Sequence, residues 1–149
     1  MKLEEEIKQT KFESEHLKAV LNVMVTNNWI VSRHTKFLKQ YDLSLPQYNV
    51  LRILRGAKGK PMMLSDISDR MLDKMSNATR LVEKLKQKGL VERELCETNR
   101  RQVDISITEK GSGLLKKIDG EKIEWLSTLK NVTKAEAIEL NRILDKLRG

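Results

Sequence analysis

The chain has 149 residues, the size of one ordinary domain, and 39% of them are hydrophobic, which is enough for one core. It carries 29 Lys and Arg against 21 Asp and Glu, a formal net charge of +8, and a single cysteine. One cysteine excludes an intramolecular disulfide, so a secreted disulfide scaffold is excluded and we expect a reducing, cytoplasmic location. No apolar stretch approaches the roughly 18 residues of a membrane span, and the acidic start of the chain does not resemble a signal peptide. We therefore expect no membrane partner.

The positive charge is concentrated in the middle of the sequence. Residues 46–110 hold 14 Lys and Arg against 9 acidic residues, whereas residues 1–45 hold 7 against 6 and residues 111–149 hold 8 against 6. A basic segment between nearly neutral flanks is typical of an element that binds a polyanion. A merely well-solvated surface has the same composition, so charge alone leaves both interpretations open.

The first third of the chain is predicted to be helical. Apolar residues recur at steps of three and four over residues 17–31, which indicates one long helix over about residues 11–40. Thr10 and Glu13 have the spacing of a capping box for its start. A second helix is predicted to begin at Ser44, which can cap it, and to end at the next pair of glycines.

Two short helices joined by a tight turn follow. The first is predicted over residues 64–72 with Ser65 as its cap, and the second over residues 76–88. Gly89 has the position of a left-handed residue that ends the second helix. This arrangement, with polar residues at the start of the second helix, is typical of a helix-turn-helix.

A β-hairpin is predicted next, because residues 90–95 and 103–108 are strand-like and the second segment alternates apolar and polar residues strictly. The polar segment between them is the predicted hairpin tip. A hairpin beside a helix-turn-helix is a wing. A further helix is predicted to run from position 108 to about 129, weakened by Gly111, Gly113 and Gly120.

The last helix is predicted to begin at a capping box of Thr133 and Glu136 and to carry an apolar seam. The seam consists of Ala137, Leu140, Leu144 and Leu147. Such a seam requires a partner surface, and the long first helix also carries more apolar surface than a small winged core can cover. We therefore expect a helical dimerisation layer built from the chain ends.

The predicted fold class is mainly α with a small β-hairpin. The whole chain, residues 1–149, is interpreted as one domain. Within it, residues 44–110 form the predicted winged helix-turn-helix lobe, and residues 1–43 and 111–149 supply the predicted dimerisation helices.

Three motifs in and around the lobe match a known pattern together. L-S-D-I-S-D-R at residues 64–70 is the first, and the segment 75–93, from M-S-N-A-T-R to G-L-V-E-R, is the second. The third is N-R-R at residues 99–101, followed by a strand and T-E-K-G at residues 108–111. Over about residues 12–147 the chain resembles the MarR family of winged helix-turn-helix transcription regulators.

The resemblance implies a homodimer that binds a pseudo-palindromic operator in double-stranded DNA, as a repressor that a small ligand releases. A recognition helix places short polar side chains in the major groove, where Asn can pair with adenine and Arg with guanine. We expect Asn77 and Arg80 to read bases, and Lys84 to contact phosphate or solvent. The full set of candidate DNA contacts is Ser65, Ser76, Asn77, Thr79, Arg80, Lys84, Asn99, Arg100 and Arg101.

The predicted wing tip departs from the family pattern at one position. The family usually has Asp-x-Arg there, whereas this chain has Asn99 in the first position. An Asn gives an uncharged hydrogen bond, roughly half as strong as a charge-assisted one, so we expect a less preorganised wing. Of the two arginines that follow, the resemblance assigns insertion into the minor groove to Arg101 rather than Arg100.

The resemblance also implies a small aromatic or carboxylate effector between the dimerisation layer and the DNA-binding lobe. Five side chains could line such a site, because each is aromatic, basic or flexible and apolar. Each is also an ordinary core or interface residue. They are Met24, Trp29, Arg33, His34 and Tyr48.

The sequence does not indicate a catalytic site, a metal site or a cofactor. The two histidines, His16 and His34, would lie about 27 Å apart on one continuous helix, too far to share a metal within a subunit. Cys96 has no Cys or His neighbour, so we interpret it as a strand residue rather than a redox sensor. The alternative function is a winged-helix module that binds a protein or a structured RNA, and the dimer seam with the wing arginine favours DNA.

Overall fold

The computed structural model describes residues 1–95, 103–121 and 124–149, which fall into two compact units, Met1–Ile118 and Asp119–Gly149. The elements are, in chain order, α1 (Leu3–Glu6), α2 (Glu15–Leu38), a 3-10 turn (Lys39–Tyr41), α3 (Leu45–Gly56), β1 (Met62–Met63), α4 (Leu64–Arg70), α5 (Ala78–Gln87), β2 (Val91–Leu95), β3 (Val103–Ile107), α6 (Glu109–Gly120), a 3-10 segment (Glu124–Asn131) and α7 (Lys134–Arg148). The predicted fold class, mainly helical with a small sheet, is confirmed. The functional division of the chain into lobe and dimerisation helices stays a prediction.

The long helix α2 starts later than the sequence indicated. Its N-cap is Ser14, whose hydroxyl accepts a hydrogen bond from the Leu17 N–H at 3.1 Å, so the predicted Thr10–Glu13 capping box is wrong. The residues before it form the short helix α1. An ion pair of 2.6 Å between Glu4 and Lys18 joins α1 to α2 and lowers the pKa of the Glu4 carboxyl through its hydrogen bond with Lys18.

Both remaining capping boxes are confirmed. At α3, Ser44 N–H donates to the side chain of Gln47 at 3.0 Å, and Gln47 N–H donates to the Ser44 hydroxyl at 3.3 Å. At α7, the Thr133 N–H donates to Glu136 at 2.8 Å, and this hydrogen bond lowers the pKa of the Glu136 carboxyl. The reciprocal pairs satisfy backbone N–H groups that the first turn of a helix leaves free.

The sheet has three antiparallel strands in the order β1-β3-β2. The predicted hairpin forms with Val91 opposite Ile107, and β1 adds to its other side with Met62 opposite Ile105. The sequence did not indicate β1, because two residues are too short to show an alternating pattern.

The core of the first unit lies where the helices of the lobe meet this sheet. Side chains from every element from α2 to α6 contribute to it, and the largest fully buried ones are Leu38, Leu51, Leu54, Ile67, Leu85, Ile105, Leu115, Ile118 and Val50.

The helix predicted to reach residue 129 ends at Gly120 instead, and a 3-10 segment occupies Glu124–Asn131. Three glycines in twelve residues lower helix propensity enough to favour an early end. No helix among the described residues is long and apolar enough to cross a membrane.

Candidate nucleic-acid interface

Helix α5, the predicted recognition helix, has one buried face and one exposed face. Its buried face consists of Ala78, Val82 and Leu85, each less than 8% exposed, and Val82 and Leu85 pack in the same core as Ile67 of α4. Exposed positions of the helix are Thr79, Arg80, Glu83, Lys84, Lys86 and Gln87. The side chains on α5 that the sequence indicated as DNA contacts, Thr79, Arg80 and Lys84, therefore lie outside the core.

The turn between α4 and α5 is held by its own hydrogen bonds. Asp73 accepts from the Met75 N–H at 2.9 Å and from the Ser76 hydroxyl at 3.1 Å, and its carbonyl accepts from the Ser76 N–H at 3.2 Å. The Leu72 N–H donates to the side chain of Asn49 on α3 at 2.9 Å. The turn is therefore fixed both internally and to the neighbouring helix, and the Ser76 hydroxyl is engaged within it.

The start of α5 bears on one of the predicted base readers, Asn77, whose role as a DNA contact stays a prediction. The helix begins at Ala78 rather than Ser76, and Asn77 is its N-cap: its Oδ1 accepts from the Arg80 N–H at 3.0 Å. A bidentate contact with adenine requires the same oxygen and the amide nitrogen to point at the base. In this orientation Asn77 supports the helix, whereas the Arg80 side chain is exposed.

The start of α4 also differs from the prediction. Its N-cap is Met63, which makes no side-chain cap, so the prediction that Ser65 caps this helix is wrong. Ser65 lies in the first turn of α4 and is exposed. Its role as a DNA contact stays a prediction.

The end of α5 is fixed by Gly89, as predicted. Gly89 has φ +70, its N–H donates to the Lys86 carbonyl at 2.8 Å, and the Leu90 N–H donates to the Leu85 carbonyl at 3.0 Å. This pair of bonds is a Schellman motif, and Leu90 and Leu85 are both buried behind it. The motif turns the chain directly into β2.

The wing is anchored to the same point. Thr108 donates its hydroxyl proton to the Gly89 carbonyl at 2.8 Å and accepts from the Gly111 N–H at 3.1 Å. A Cβ on Gly111 would lie 2.3 Å from the Leu90 carbonyl oxygen and 2.8 Å from Ile107 Cγ1. Gly111, which the sequence indicated only as a weak helix residue, thus allows α6 to approach the junction of α5 and the wing.

The lysines along α5 differ in their contacts. Lys88 forms an ion pair with Asp42 at 3.0 Å and also donates to its backbone carbonyl, while Lys110 donates to the Lys88 carbonyl at 2.8 Å. Lys88 therefore holds the end of the recognition helix against the chain that precedes α3. Lys84 is exposed on the outward face and fits a phosphate contact better.

The predicted wing tip lies outside the described residues, and with it Asn99, Arg100, Arg101 and Cys96. The strands that carry the tip are described and pair in register from Val91 opposite Ile107 to Leu95 opposite Val103.

The predicted effector residues are brought together only in part. An open cleft of about 520 Å³ is lined by Glu6, Ile7, Val25, Asn28, Trp29, Ser32 and Arg33. Within it the Arg33 guanidinium lies over the Trp29 ring, 5.1 Å from its centroid. Met24, His34 and Tyr48 do not line this cleft.

Those three residues have other environments. Met24 is 58% exposed on α2. Tyr48 accepts a hydrogen bond from Arg52 at 3.0 Å. His34 is half-buried, and burial lowers the pKa of its imidazole. Among the described residues no group of three His, Cys, Asp or Glu side chains is placed to hold a metal ion.

Comparison with known proteins identifies the family that has this architecture. The model of the MarR family matches residues 43–103, from just before α3 to the beginning of β3. The HTH-type transcriptional regulator MhqR of Bacillus subtilis is 31% identical over 105 residues, which are 70% of this chain and 71% of the relative. The chain belongs to the MarR family. As a member it is a DNA-binding transcription regulator and not an enzyme.

Solved structures of MarR-like proteins share the fold. A mutant MarR from E. coli complexed with operator DNA has a TM-score of 0.77 at 20% identity, covering 93% of this chain and 99% of that one. The organohalide-sensing regulator RdhR-CbdbA1625, in its 2,4-dichlorophenol-bound form, has a TM-score of 0.78 at 23% identity, covering 93% and 81%. At these identities the likeness concerns the fold of this MarR-family chain.

Proposed function

We propose that this chain is a cytoplasmic, homodimeric repressor that binds a pseudo-palindromic operator in double-stranded DNA and is released by a small ligand. The observation that carries the proposal is the exposed face of α5, with Thr79, Arg80 and Lys84 on a helix fixed at both ends. A helix held in this way enters the major groove without losing further conformational freedom.

The DNA contacts divide by position along α5. Arg80, in the first turn of the helix, reads a base, and guanine is the base whose major-groove edge an arginine pairs with in two hydrogen bonds. Lys84, one turn further on, contacts phosphate. Thr79 and Ser65 supply further hydrogen bonds to the DNA from short side chains, and the Ser76 oxygen accepts one while its hydroxyl proton stays on Asp73. Asn77 holds the start of the helix.

The wing adds a second contact in this proposal. The β2–β3 hairpin extends from the junction fixed by Thr108 and Gly111, and this rigid base supports a role for its tip, residues 99–101, in binding. Arg101 is assigned to the minor groove, whose negative potential attracts a guanidinium, and Asn99 and Arg100 are further candidate contacts. Arg101→Ala then weakens operator binding more than Arg100→Ala; equal losses would contradict this assignment.

Dimerisation is proposed from the apolar surface that the chain leaves exposed. On α7, Leu140 and Leu147 of the predicted seam are 51% and 58% exposed, and Ile138 and Ile143 are exposed as well. On α2 the exposed apolar residues are Leu17, Val20, Val23, Met24, Trp29 and Val31. Exposed apolar stretches of this length on two helices favour burial against a second copy.

The effector proposal rests on the Trp29–Arg33 pair in the open cleft. An aromatic ring beside a guanidinium suits a small aromatic molecule that carries a negative charge, which can stack on the ring and pair with the cation. The structure of the dichlorophenol-bound regulator supports a small aromatic ligand. Addition of 2,4-dichlorophenol to the protein–DNA complex tests it: release by the native chain and none by Arg33→Ala or Trp29→Ala is expected.

The test of the main proposal is a binding titration with duplex DNA at several salt concentrations. Each phosphate that a lysine or arginine neutralises contributes about −0.9 to the log–log salt slope, so several contacts per subunit give a steep decline. A flat salt response, or tighter binding to a structured RNA or to a protein, would favour the alternative function.

A further inference from the structure

The turn before the recognition helix carries two apolar side chains that the fold does not bury. Met75 is 91% exposed and Leu72 is 86% exposed. Apart from the terminal Met1, the next most exposed large apolar residue of the described chain is Ile138, at 60%. These two side chains are therefore much more exposed than the other large apolar residues on the described surface.

Local packing does not account for Met75. An apolar residue just before a helix commonly packs against the first turn of that helix and fixes the entry of the chain. Met75 lies two residues before the N-cap Asn77, yet it stays exposed. Its backbone N–H is fixed instead by a hydrogen bond to Asp73, which also holds Ser76, so a fixed turn carries an exposed thioether.

The charges around Met75 indicate its partner. Residues 70–88 contain six Lys and Arg against two acidic residues. Lys74 is adjacent to Met75, Arg80 lies in the first turn of α5, and one of the two acids, Asp73, accepts from the Met75 N–H. An apolar side chain within a basic surface suits a partner that is an anion overall but offers an apolar group. In duplex DNA that group is the 5-methyl of thymine, which lies in the major groove.

We propose that Met75 is a specificity-determining residue that contacts the 5-methyl group of a thymine in each half of the operator. The proposal rests on the proposed function, because it requires α5 to enter the major groove. It adds a reading of thymine to the polar contacts of Arg80 and Thr79. Contact with a methyl group also requires no hydrogen-bond geometry, which suits the flexible side chain of methionine.

The experiment uses the full-length protein and a duplex enriched by it from a random-sequence pool. Each thymine of that duplex is replaced in turn by uracil, which removes the methyl group and leaves base pairing unchanged. Affinity is measured by fluorescence anisotropy for the native chain, for Met75→Gln, a polar side chain of similar length, and for Met75→Leu, which keeps the apolar character.

The expected result is one thymine per half-site at which uracil weakens binding by the native chain and by Met75→Leu about fourfold, the value for burial of one methyl group. Met75→Gln binds the thymine duplex more weakly and does not distinguish uracil from thymine at that position. The exposure of Met75 predicts unchanged urea unfolding for both variants.

Two results would overturn the inference while leaving the proposed function intact: no uracil effect in the native chain, or the same uracil effect in Met75→Gln. If the full-length protein enriches no duplex from the random-sequence pool, the proposed function and this inference fail together.

Discussion

Asn77 Oδ1 accepts a hydrogen bond from the Arg80 N–H at 3.0 Å, and this contact links the two residues that the sequence indicated as base readers. It satisfies a backbone group that the first turn of α5 leaves free. We therefore expect the two residues to have different tasks, because the amide oxygen of Asn77 is directed into the helix while the Arg80 side chain remains exposed.

Replacing Asn77 tests this division. Asn77→Ala removes the cap, so we expect the free energy of unfolding to fall by about 1 kcal/mol and the affinity for all duplexes to fall by the same factor. Asn77→Ser retains a capping oxygen and serves as the control, with stability and base preference both close to native. Urea unfolding and selection from a random duplex pool measure the two effects. A stable Asn77→Ser protein with altered base preference would show that the amide does read a base.

Arg80 and Lys84 should differ in the kind of loss that each causes. Arg80→Ala is expected to cost about 1–3 kcal/mol at one base pair and to relax selection there. Lys84→Ala is expected to weaken binding to all sequences alike and to reduce the salt slope by about 1 per subunit, which is about 2 for the dimer. Affinities for single-base variants of one operator separate the two patterns. If Arg80→Ala weakens every variant equally, Arg80 contacts only the DNA backbone.

Gly111 and Gly113 form a matched pair on α6. Gly111→Ala places a Cβ 2.3 Å from the Leu90 carbonyl oxygen, so we expect a loss of about 1–3 kcal/mol in unfolding free energy. Nothing lies within 4 Å of a Cβ on Gly113, so Gly113→Ala should gain about 0.5–1 kcal/mol from helix propensity. Thermal and urea unfolding decide the signs. Equal effects of the two substitutions would show that α6 does not approach the Leu90 carbonyl this closely.

A measurement of the oligomeric state tests whether the exposed seam of α7 forms a dimer interface. Light scattering should give a mass of twice 17.3 kDa for the native chain at micromolar concentration. Leu140→Lys places a charge in the seam and should shift the equilibrium towards the monomer, whereas Asn141→Lys, at the next and also exposed position, should remain dimeric. A native monomer, or a dimer that Leu140→Lys leaves unchanged, would exclude this seam as the interface.

The elements that the sequence predicted correctly are those whose signals are local. The capping boxes at Ser44 and Thr133, the left-handed Gly89 and the alternating strand β3 each depend on residues close together in the chain. Strand β1 could not be predicted, since its two residues acquire strand geometry only by pairing with β3. The role of Gly111 depends on the carbonyl of Leu90, which lies on the far side of the hairpin in sequence, and is likewise not encoded locally.

As with the fold, only the locally encoded features of the candidate site could be predicted from the sequence. The exposed face of α5 follows from the 3.6-residue period, but the first residue of a helix is uncertain by one or two positions in a sequence. That shift moved Asn77 from the first turn to the N-cap, where its amide oxygen accepts from the Arg80 N–H. Met75 was missed because a pattern of apolar residues does not reveal which of them the fold leaves exposed.

Selection of duplex DNA from a random-sequence pool by the full-length protein tests the central claim most directly. Sequence-specific binding by a two-fold symmetric dimer predicts enrichment of one motif with two inverted halves about one helical turn apart, which the native chain binds far more tightly than a scrambled duplex. A pool that shows no common motif after repeated rounds, with equal affinity for the scrambled duplex, would contradict the claim.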